Sequence, residues 1–140
     1  MDIARGSDEA VRRILEECQT WAVVGLSTNT ARAAHGVARF LQEHGKRIVP
    51  VHPRAETVHG ETGYPTLAAV PFPIDCVDVF VRSELAGGIA DEAVAAGARA
   101  VWFQLGVVDP AAYRRVTVAG LDMVMDRCPA IEWPLLGPPA

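Results

Sequence analysis

The stretch WAVVGLSTNTARAAHG, Trp21–Gly36, decides the fold of this chain. Its first five residues predict a buried strand and its last two the start of a helix, and the only charge in the loop 26–34 between them is on Arg32. A strand that passes through glycine into a helix N-terminus is the usual phosphate-binding corner of α/β proteins. The helix end there presents unpaired N–H groups and a partial positive charge. The function therefore depends on what this corner binds.

Length and composition predict a single domain over residues 1–140. Half of the residues are hydrophobic and 21% are charged, as in an ordinary globular protein. The net charge of −4 and the pI near 5.5 argue against nucleic-acid binding. No apolar run approaches the ~18 residues of a membrane span, and the first residues lack a signal-peptide pattern. The cysteines Cys18, Cys76 and Cys128 have no metal-ligand spacing, so we expect reduced thiols, no metal and a cytoplasmic location.

The apolar pattern predicts helices that alternate with strands. An N-terminal helix over residues 8–18 is expected after Ser7 as its N-cap. The predicted strands are Trp21–Gly25, Arg47–Val51, Tyr64–Pro65, Asp75–Val81, Ala100–Leu105 and Leu121–Met125. The predicted helices between them are His35–His44, a helix that opens at Ser83 or only near Gly88, and one that ends at Gly120. The tail 131–140 contains three prolines and is expected to be extended.

This alternation predicts an α/β fold: a single Rossmann-like, doubly wound, mostly parallel sheet with helices on both faces. In such a fold the ligand lies at the carboxyl ends of the strands, where the strand order reverses. The loops expected at that edge are Leu26–Ala34, His52–Ala55, Arg82–Glu84, Gln104–Val108 and Asp126–Pro129.

The phosphate corner lacks a dinucleotide fingerprint. In the pattern G-x-G-x-x-G, Gly25 fits the first position, but Ser27 and Thr30 occupy the other two. The second strand should end in an acidic residue for a ribose diol, and it is followed instead by His52–Arg54. A basic residue there suits a ribose that carries a phosphate, as in NADP or coenzyme A, and Arg32 could bind the pyrophosphate.

A structural interpretation of the same loop carries equal weight. Ser27, Thr28 and Asn29 are residues that often cap turns. The P-loop pattern G-x-x-x-x-G-K-[ST] is absent, which argues against an ATPase.

Nearly all of the chain from Trp21 to Glu132 carries short motifs in a set order. They are WAVVGLS, Ala31-Arg32, His35–Ala38, Arg47–Pro53, Gly60-Glu61, Tyr64–Leu67, Asp78–Glu84, Gly97-Ala98, Ala100–Val107 and Met125–Cys128. Each motif is weak alone, but the ordered set at this spacing resembles the small CoA-binding protein family. That family is similar to the N-terminal domain of the succinyl-CoA synthetase alpha subunit. Two departures from it are His52, where the family commonly has Asn, and a loop with Thr30, Ala33 and Ala34 where proline is frequent.

The resemblance implies a CoA-binding Rossmann-like domain and assigns contacts by position. Gly25, Ser27 and residues 32–36 would line the pyrophosphate, and His52–Arg54 would lie by the adenosine and its 3′-phosphate. Residues 81–83 would flank the adenine or ribose, and residues 104–107 would face the pantetheine arm. The expected cofactor-binding residues are Gly25, Ser27, Thr28, Asn29, Arg32, His35, Gly36, His52, Pro53, Arg54, Val81, Arg82, Ser83, Gln104 and Gly106.

The sequence provides no evident catalytic group. Synthetases that the chain resembles need a second domain, a phosphorylated histidine and a nucleotide-binding partner subunit. The histidines, none with an evident nucleophile or carboxylate partner, are His35, His44, His52 and His59. Asp75 and Asp78 frame a strand rather than form an acid–base pair. Arg127 could favour a reactive Cys128 thiolate that pairs with the CoA thiol, but a buried core cysteine is the commoner case.

We therefore expect non-catalytic binding of coenzyme A or an acyl-CoA. The partner is a small molecule, not a nucleic acid or a membrane, and a homodimer would be unsurprising. Two alternatives stay open. One is an NADP-dependent oxidoreductase, and the other is an accessory subunit of a CoA-transferring enzyme that docks another chain through Trp133 and the tail.

Overall fold

The computed structural model describes residues 4–139. The strands are β1 (Thr20–Val24), β2 (Arg47–Val51), β3 (Cys76–Val79), β4 (Ala100–Phe103) and β5 (Asp122–Val124). The helices are α1 (Asp8–Glu17), α2 (Ala33–Glu43), α3 (Ser83–Ala95), α4 (Pro110–Val118) and α5 (Pro129–Leu136). The strands form one sheet in the order β2-β1-β3-β4-β5 with parallel pairings throughout, which confirms the doubly wound α/β fold.

The interior strands are buried on both faces. Every residue of β3 and of β4 is inaccessible to solvent, and β1 is buried from Trp21 onward. Continuous apolar strands are what a parallel sheet requires when helices cover both of its faces. The one charged side chain in these buried strands is that of Asp78.

The helices divide between the two faces of the sheet. Helices α1, α2 and α5 cover one face, where Leu15, Leu41 and partly buried Trp133 pack around Trp21 and Trp102. Helices α3 and α4 cover the other face. The buried side of α3 consists of small residues, Ala86, Gly87, Ala90 and Ala93, so this helix approaches its neighbours closely.

The crossover from β2 to β3 positions the ligand edge. The chain leaves β2 on one side of β1 and returns as β3 on the other, passing through a 3₁₀ turn at Leu67–Ala69. The strand order therefore reverses between β1 and β3. The crevice outside the carboxyl ends of these two strands is the expected ligand site of a doubly wound fold.

The prediction of a strand at Tyr64–Pro65 is wrong. Tyr64 forms only an isolated bridge to Val51, in which its N–H donates to Pro50 O at 2.9 Å and its carbonyl accepts from His52 N at 3.0 Å. Pro65 has no N–H with which to continue the ladder. The sheet accordingly has five strands rather than six.

The prediction of an extended tail is also wrong, because residues 131–136 belong to α5. Pro129 stands at the first helical position, where its missing N–H removes no intrahelical bond. Pro134 removes one bond, and the neighbouring Trp133 packs against Phe40 and His44. Ile131 and Leu135 stay exposed on this helix, and the homodimer remains a prediction.

Helix α3 begins at Ser83, so Gly87 and Gly88 do not delay its start. Gly87 faces the start of α4, where a Cβ would lie 2.7 Å from Asp109 Oδ2. The glycine thus permits the close contact of α3 with α4. Within residues 4–139 there is no helix with the length and apolarity of a membrane span.

Candidate functional site

A cleft of ≈ 830 Å³ opens at the switch point between β1 and β3. It is lined by Val24, Gly25, Ser27, Asn29, Arg32, Ala33, Ala34, Val51, His52, Pro53, Arg54, Pro65, Thr66, Leu67, Phe80, Val81, Ile89, Glu92, Gln104, Leu105 and Val107. The volume lies within the ~300–1,000 Å³ of small-molecule sites. The cleft is therefore large enough for a nucleotide-sized ligand.

Gly25 turns the chain from β1 into the cleft. Its φ of +101° is in the region that disfavours side chains, and a Cβ there would lie 3.2 Å from Phe80 Cβ. The Gly25 N–H donates to Val51 O at 2.8 Å, which holds the turn against the end of β2. Only glycine combines this backbone conformation with the close approach to Phe80.

The N-terminus of α2 is open toward the cleft. Ser7 caps α1 and Asp109 caps α4 through side-chain hydrogen bonds, whereas Arg32 at the N-cap of α2 makes no such bond. Ala33 and Ala34, the first residues of the helix, line the cleft. Uncapped N–H groups and the helix dipole together favour an anion at this position.

The polar side chains of the loop 26–34 hold its turns. Ser27 Oγ accepts from Asn29 N at 3.2 Å, and Asn29 Oδ1 accepts from Ala31 N at 3.0 Å. Both residues also line the cleft. The side-chain oxygens of Ser27 and Asn29 thus hold the turns, while the Ser27 hydroxyl hydrogen and the Asn29 NH₂ group remain free to donate to a ligand. The loop can therefore both cap its own turns and bind a ligand.

Two guanidinium groups give the cleft a local positive charge in a chain whose net charge is −4. Arg32 has no hydrogen bond or ion pair from its side chain to any residue within 4–139. Arg54 Nε lies 3.5 Å from Glu56 Oε1, and the Arg54 side chain is 63% exposed. An exposed pair of this kind contributes little stability, so an incoming phosphate can compete for Arg54.

Glu56 ties the crossover to the loop of the phosphate corner. Its carboxylate accepts from Thr28 N at 3.3 Å and from Thr28 Oγ1 at 3.1 Å. The hydrogen bond from the Thr28 backbone, and then the nearby Arg54, lower the pKa of this carboxyl group. Glu56 thus remains ionised at neutral pH and positions both Thr28 and Arg54.

His52 presents one defined donor to the cleft. Its Nδ1 lies 3.2 Å from Arg54 N and accepts the hydrogen of that amide. A neutral imidazole that accepts at Nδ1 carries its hydrogen on Nε2. His52 therefore has a free N–H donor for a phosphate or a ribose oxygen.

A buried carboxyl group lies beneath the cleft. Asp78 Oδ1 accepts from Gln104 Nε2 at 2.7 Å, and Gln104 lines the cleft. Burial raises the pKa of Asp78 to about 7, and the hydrogen bond from Gln104 opposes that rise. Among residues 4–139, Asp78 Oδ2 has no hydrogen-bond partner.

Cys128 was expected to be either a reactive thiolate or a buried core cysteine, and the structure places it in the core. It is 8% exposed at the start of α5, and burial raises the pKa of its thiol. Arg127 does not activate it, because its Nη1 lies 3.0 Å from Glu132 and 3.3 Å from Asp8. In the described part of the chain no three His, Cys, Asp or Glu side chains cluster as a metal site would require.

The family profile of the CoA binding domain matches residues 19–134. The chain belongs to this family. The resemblance inferred from the ordered motifs is thereby confirmed. The match covers both strands of the switch point and every loop of the cleft.

Relatives of this CoA-binding domain cover nearly the whole chain. An uncharacterized protein of Bacillus subtilis, YneT, is 35% identical over 122 residues, which are 87% of this chain and 90% of YneT. The structure of a hypothetical protein from Pyrococcus horikoshii superposes with a TM-score of 0.87 at 35% identity, over 97% of this chain and 99% of that one. An acetyl-coenzyme A synthetase of Ca. Korarchaeum cryptofilum shares the fold, with a TM-score of 0.72 at 21% identity over 83% of this chain and 27% of the synthetase.

Nine of the expected cofactor-binding residues line the cleft of this CoA-binding domain. They are Gly25, Ser27, Asn29, Arg32, His52, Pro53, Arg54, Val81 and Gln104. The other six, Thr28, His35, Gly36, Arg82, Ser83 and Gly106, lie outside the lining.

Four of those six, Thr28, His35, Ser83 and Gly106, make hydrogen bonds to segments around the cleft. His35 O accepts from His59 Nε2 at 2.7 Å, and Gly36 follows in the same helix turn. Ser83 Oγ lies 3.3 Å from Gly106 O and accepts from Val108 N at 3.0 Å. Thr28 bonds to Glu56, and Arg82 Nε lies 3.9 Å from Glu84.

The sequence did not predict the apolar walls of the cleft or the polar residues Thr66 and Glu92. The residues missed are Val24, Val51, Pro65, Thr66, Leu67, Phe80, Ile89 and Glu92. Ile89 and Glu92 come from the middle of α3 rather than from a loop. Their spacing of three residues places them on one helix face, which is the only signal that the sequence offers.

Proposed function

We propose that this protein binds coenzyme A or an acyl-CoA in the switch-point cleft and does not transform it. The observation that carries the proposal is the open N-terminus of α2, which faces the same cleft as Arg32 and Arg54. An anionic ligand with more than one phosphate group matches this arrangement of donors and cations. Membership of the CoA-binding domain family supports coenzyme A as that ligand.

The position of Arg54 supports a ligand with a phosphate on its ribose. It follows β2 at the place where NAD-binding folds carry an acid for the ribose diol. A carboxylate there would repel a 3′-phosphate, whereas Arg54 can bind one with two N–H donors. Coenzyme A has such a phosphate, and NAD does not.

The composition of the cleft supports binding without chemistry. Ser27 Oγ is engaged by Asn29 N, and His52 Nδ1 is engaged by Arg54 N. In the described chain, neither contact pairs a nucleophile with a general base in the way a hydrolase or transferase requires. No step on the ligand is assigned to these groups.

Calorimetric titration with coenzyme A, dephospho-CoA, NADP and NAD tests the proposal. We expect the tightest binding for coenzyme A and weaker binding for dephospho-CoA. Tight binding of NADP without binding of coenzyme A would contradict the proposal and favour an oxidoreductase. Release of free thiol from an acyl-CoA by the purified protein would contradict the absence of catalysis.

The variant Arg54→Ala tests whether Arg54 binds the 3′-phosphate of coenzyme A. Loss of one charge-assisted contact at an exposed site should weaken coenzyme A binding about tenfold (~1.4 kcal/mol) and leave dephospho-CoA binding nearly unchanged. The matched control is Arg39→Ala, since Arg39 is 65% exposed, pairs with Glu43 on α2 and does not line the cleft. Equal weakening of both ligands by Arg54→Ala would refute the assignment.

A further inference from the structure

Gln104 connects a buried carboxyl group to the ligand cleft. Asp78 is fully buried in β3, and Gln104 is 5% exposed just after β4. Gln104 Nε2 donates to Asp78 Oδ1 at 2.7 Å. Asp78 Oδ2 is orphaned among residues 4–139, so the carboxyl group has Gln104 as its single hydrogen-bond partner there.

The contact leaves one polar atom of the Gln104 side chain for the cleft. No donor within residues 4–139 bonds to Gln104 Oε1, and this oxygen is not among the buried orphans. Gln104 lines the cleft and its Nε2 is engaged with Asp78, so Oε1 is the side-chain atom that is available to a ligand. With the NH₂ group turned toward Asp78, the floor of the cleft presents a hydrogen-bond acceptor.

The orientation of the amide depends on the charge of Asp78. An ionised carboxylate is acceptor-only, so it requires the NH₂ group of Gln104 to face it. A protonated carboxyl group carries an O–H donor, which can bond to Oε1 after the amide has turned over. The NH₂ group would then face the cleft, and the floor would present a donor.

We propose that Asp78 is a positioning residue, whose ionised carboxylate orients Gln104 so that Oε1 accepts a hydrogen bond from an N–H group of the ligand. This inference rests on the proposed function, because the secondary amides of the pantetheine arm of coenzyme A supply such donors. When Asp78 is protonated, its O–H donates to Oε1, which turns the amide and removes the acceptor from the cleft floor. Ligand affinity is thereby linked to the protonation of a group that does not touch the ligand.

Among residues 4–139, burial and the hydrogen bond from Gln104 set the pKa of Asp78, and no cation holds it ionised. Its neighbours in register are Val23 on β1 and Trp102 on β4. The titratable groups near it are the thiols of Cys76 on β3 and Cys128 before α5, and burial raises the pKa of both. These thiols stay neutral at pH 6 to 8.

Nuclear magnetic resonance of the ligand-free protein tests the coupling directly. The ¹³Cγ signal of Asp78 and the side-chain ¹⁵N signal of Gln104 should titrate with one shared midpoint near pH 7, as the pKa of Asp78 requires. The Gln104 signal should lose this titration in Asp78→Asn. A Gln104 signal that does not follow the Asp78 signal in the wild-type protein overturns the proposal, whether or not the variant folds.

Titration with coenzyme A from pH 6 to 8.5 tests the consequence for binding. With a midpoint near 7, about nine-tenths of Asp78 is protonated at pH 6, so affinity should be about tenfold lower at pH 6 than at pH 8. The part of the slope that Asp78 causes should be lost in Asp78→Asn and in Gln104→Leu, so both variants should show a smaller slope than the wild type. Repeating the titrations with dephospho-CoA removes the ionisation of the 3′-phosphate from the comparison.

The variant Asp126→Asn is the matched control. Asp126 Oδ1 accepts from Gly106 N at 2.8 Å, so this carboxylate supports the same loop from the solvent side. The pH dependence of binding should persist in Asp126→Asn. An equal slope in the wild type and Asp78→Asn overturns the proposal. Failure of the wild type to bind coenzyme A at every pH refutes the proposed function, while the ligand-free titration still decides the coupling.

Discussion

Replacing Asp78 by Asn should stabilise the folded protein at neutral pH. The amide has nearly the shape of the carboxyl group and keeps an acceptor for Gln104 Nε2. It removes a charge that is fully buried and that, among residues 4–139, has Gln104 as its one hydrogen-bond partner and no cation acting on its pKa. A buried charge of this kind is usually destabilising.

The size of the gain follows from the pKa of Asp78. Burial raises it from 3.8 to about 7, a difference of about three units, which at ~1.36 kcal/mol per unit is ~4 kcal/mol. The folded-state pKa is above the unfolded one, so no penalty exists below about pH 4. The penalty grows as the pH rises from about 4 to 7 and stays constant above that. Near pH 4 the protonated Asp78 and the Asn are equally neutral, so the two proteins should be equally stable.

Urea unfolding of both proteins at half-unit steps from pH 4.5 to 8.5 measures this difference. The free energy of unfolding of Asp78→Asn minus that of the wild type should rise to ~4 kcal/mol by pH 8. The comparison variant is Asp75→Asn, since Asp75 Oδ2 accepts from Gln19 N and Thr20 N, each at 2.9 Å. That variant should be less stable than the wild type at pH 8. A difference curve for Asp78→Asn that is flat across this range would refute the reasoning.

Three further changes probe the corner and the terminal helix. Gly25→Ala should lose ~1–2 kcal/mol of stability in urea and also weaken coenzyme A binding, because φ is +101° there; unchanged values would show that the turn tolerates a side chain. Glu56→Gln should speed hydrogen exchange of the Thr28 amide at pH 7, because the amide donates to the Glu56 carboxylate. In the wild type, protection of this amide from exchange should fall as the pH drops below 4.5, since the folded-state pKa of Glu56 is lowered. Trp133→Ala should lower the free energy of unfolding by ~2 kcal/mol, which is less than the loss for a core tryptophan because the ring is half-buried. An unchanged urea midpoint would contradict the packing of α5 on α2.

The fold could be predicted where the local pattern and the tertiary structure agree. The interior strands are continuous apolar runs, and α1 and α4 begin at the residues that cap them. Helix α5 could not be predicted, because the prolines at 134, 138 and 139 argue against a helix, and it is the packing of Trp133 and Leu136 on the core that favours one. Those contacts join residues far apart in sequence.

The candidate site could be predicted where it consists of loops that follow strands. Arg32 and His52–Arg54 line the cleft as expected, because the carboxyl ends of parallel strands meet at one edge. The role of Asp78 could not be predicted. An acid in the apolar run Cys76–Val81 signals an exception, but the sequence does not show that its partner is Gln104, 26 residues away.

The outer edge of β2 has a consequence for self-association. Pro50 has no N–H, its carbonyl already accepts from Tyr64 N, and the N–H of His52 already donates to Tyr64 O. A strand from another molecule would find this end of the edge without free backbone groups, so the sheet cannot grow by pairing there. The crossover that builds the ligand site thus also blocks the addition of a further strand at the carboxyl end of β2.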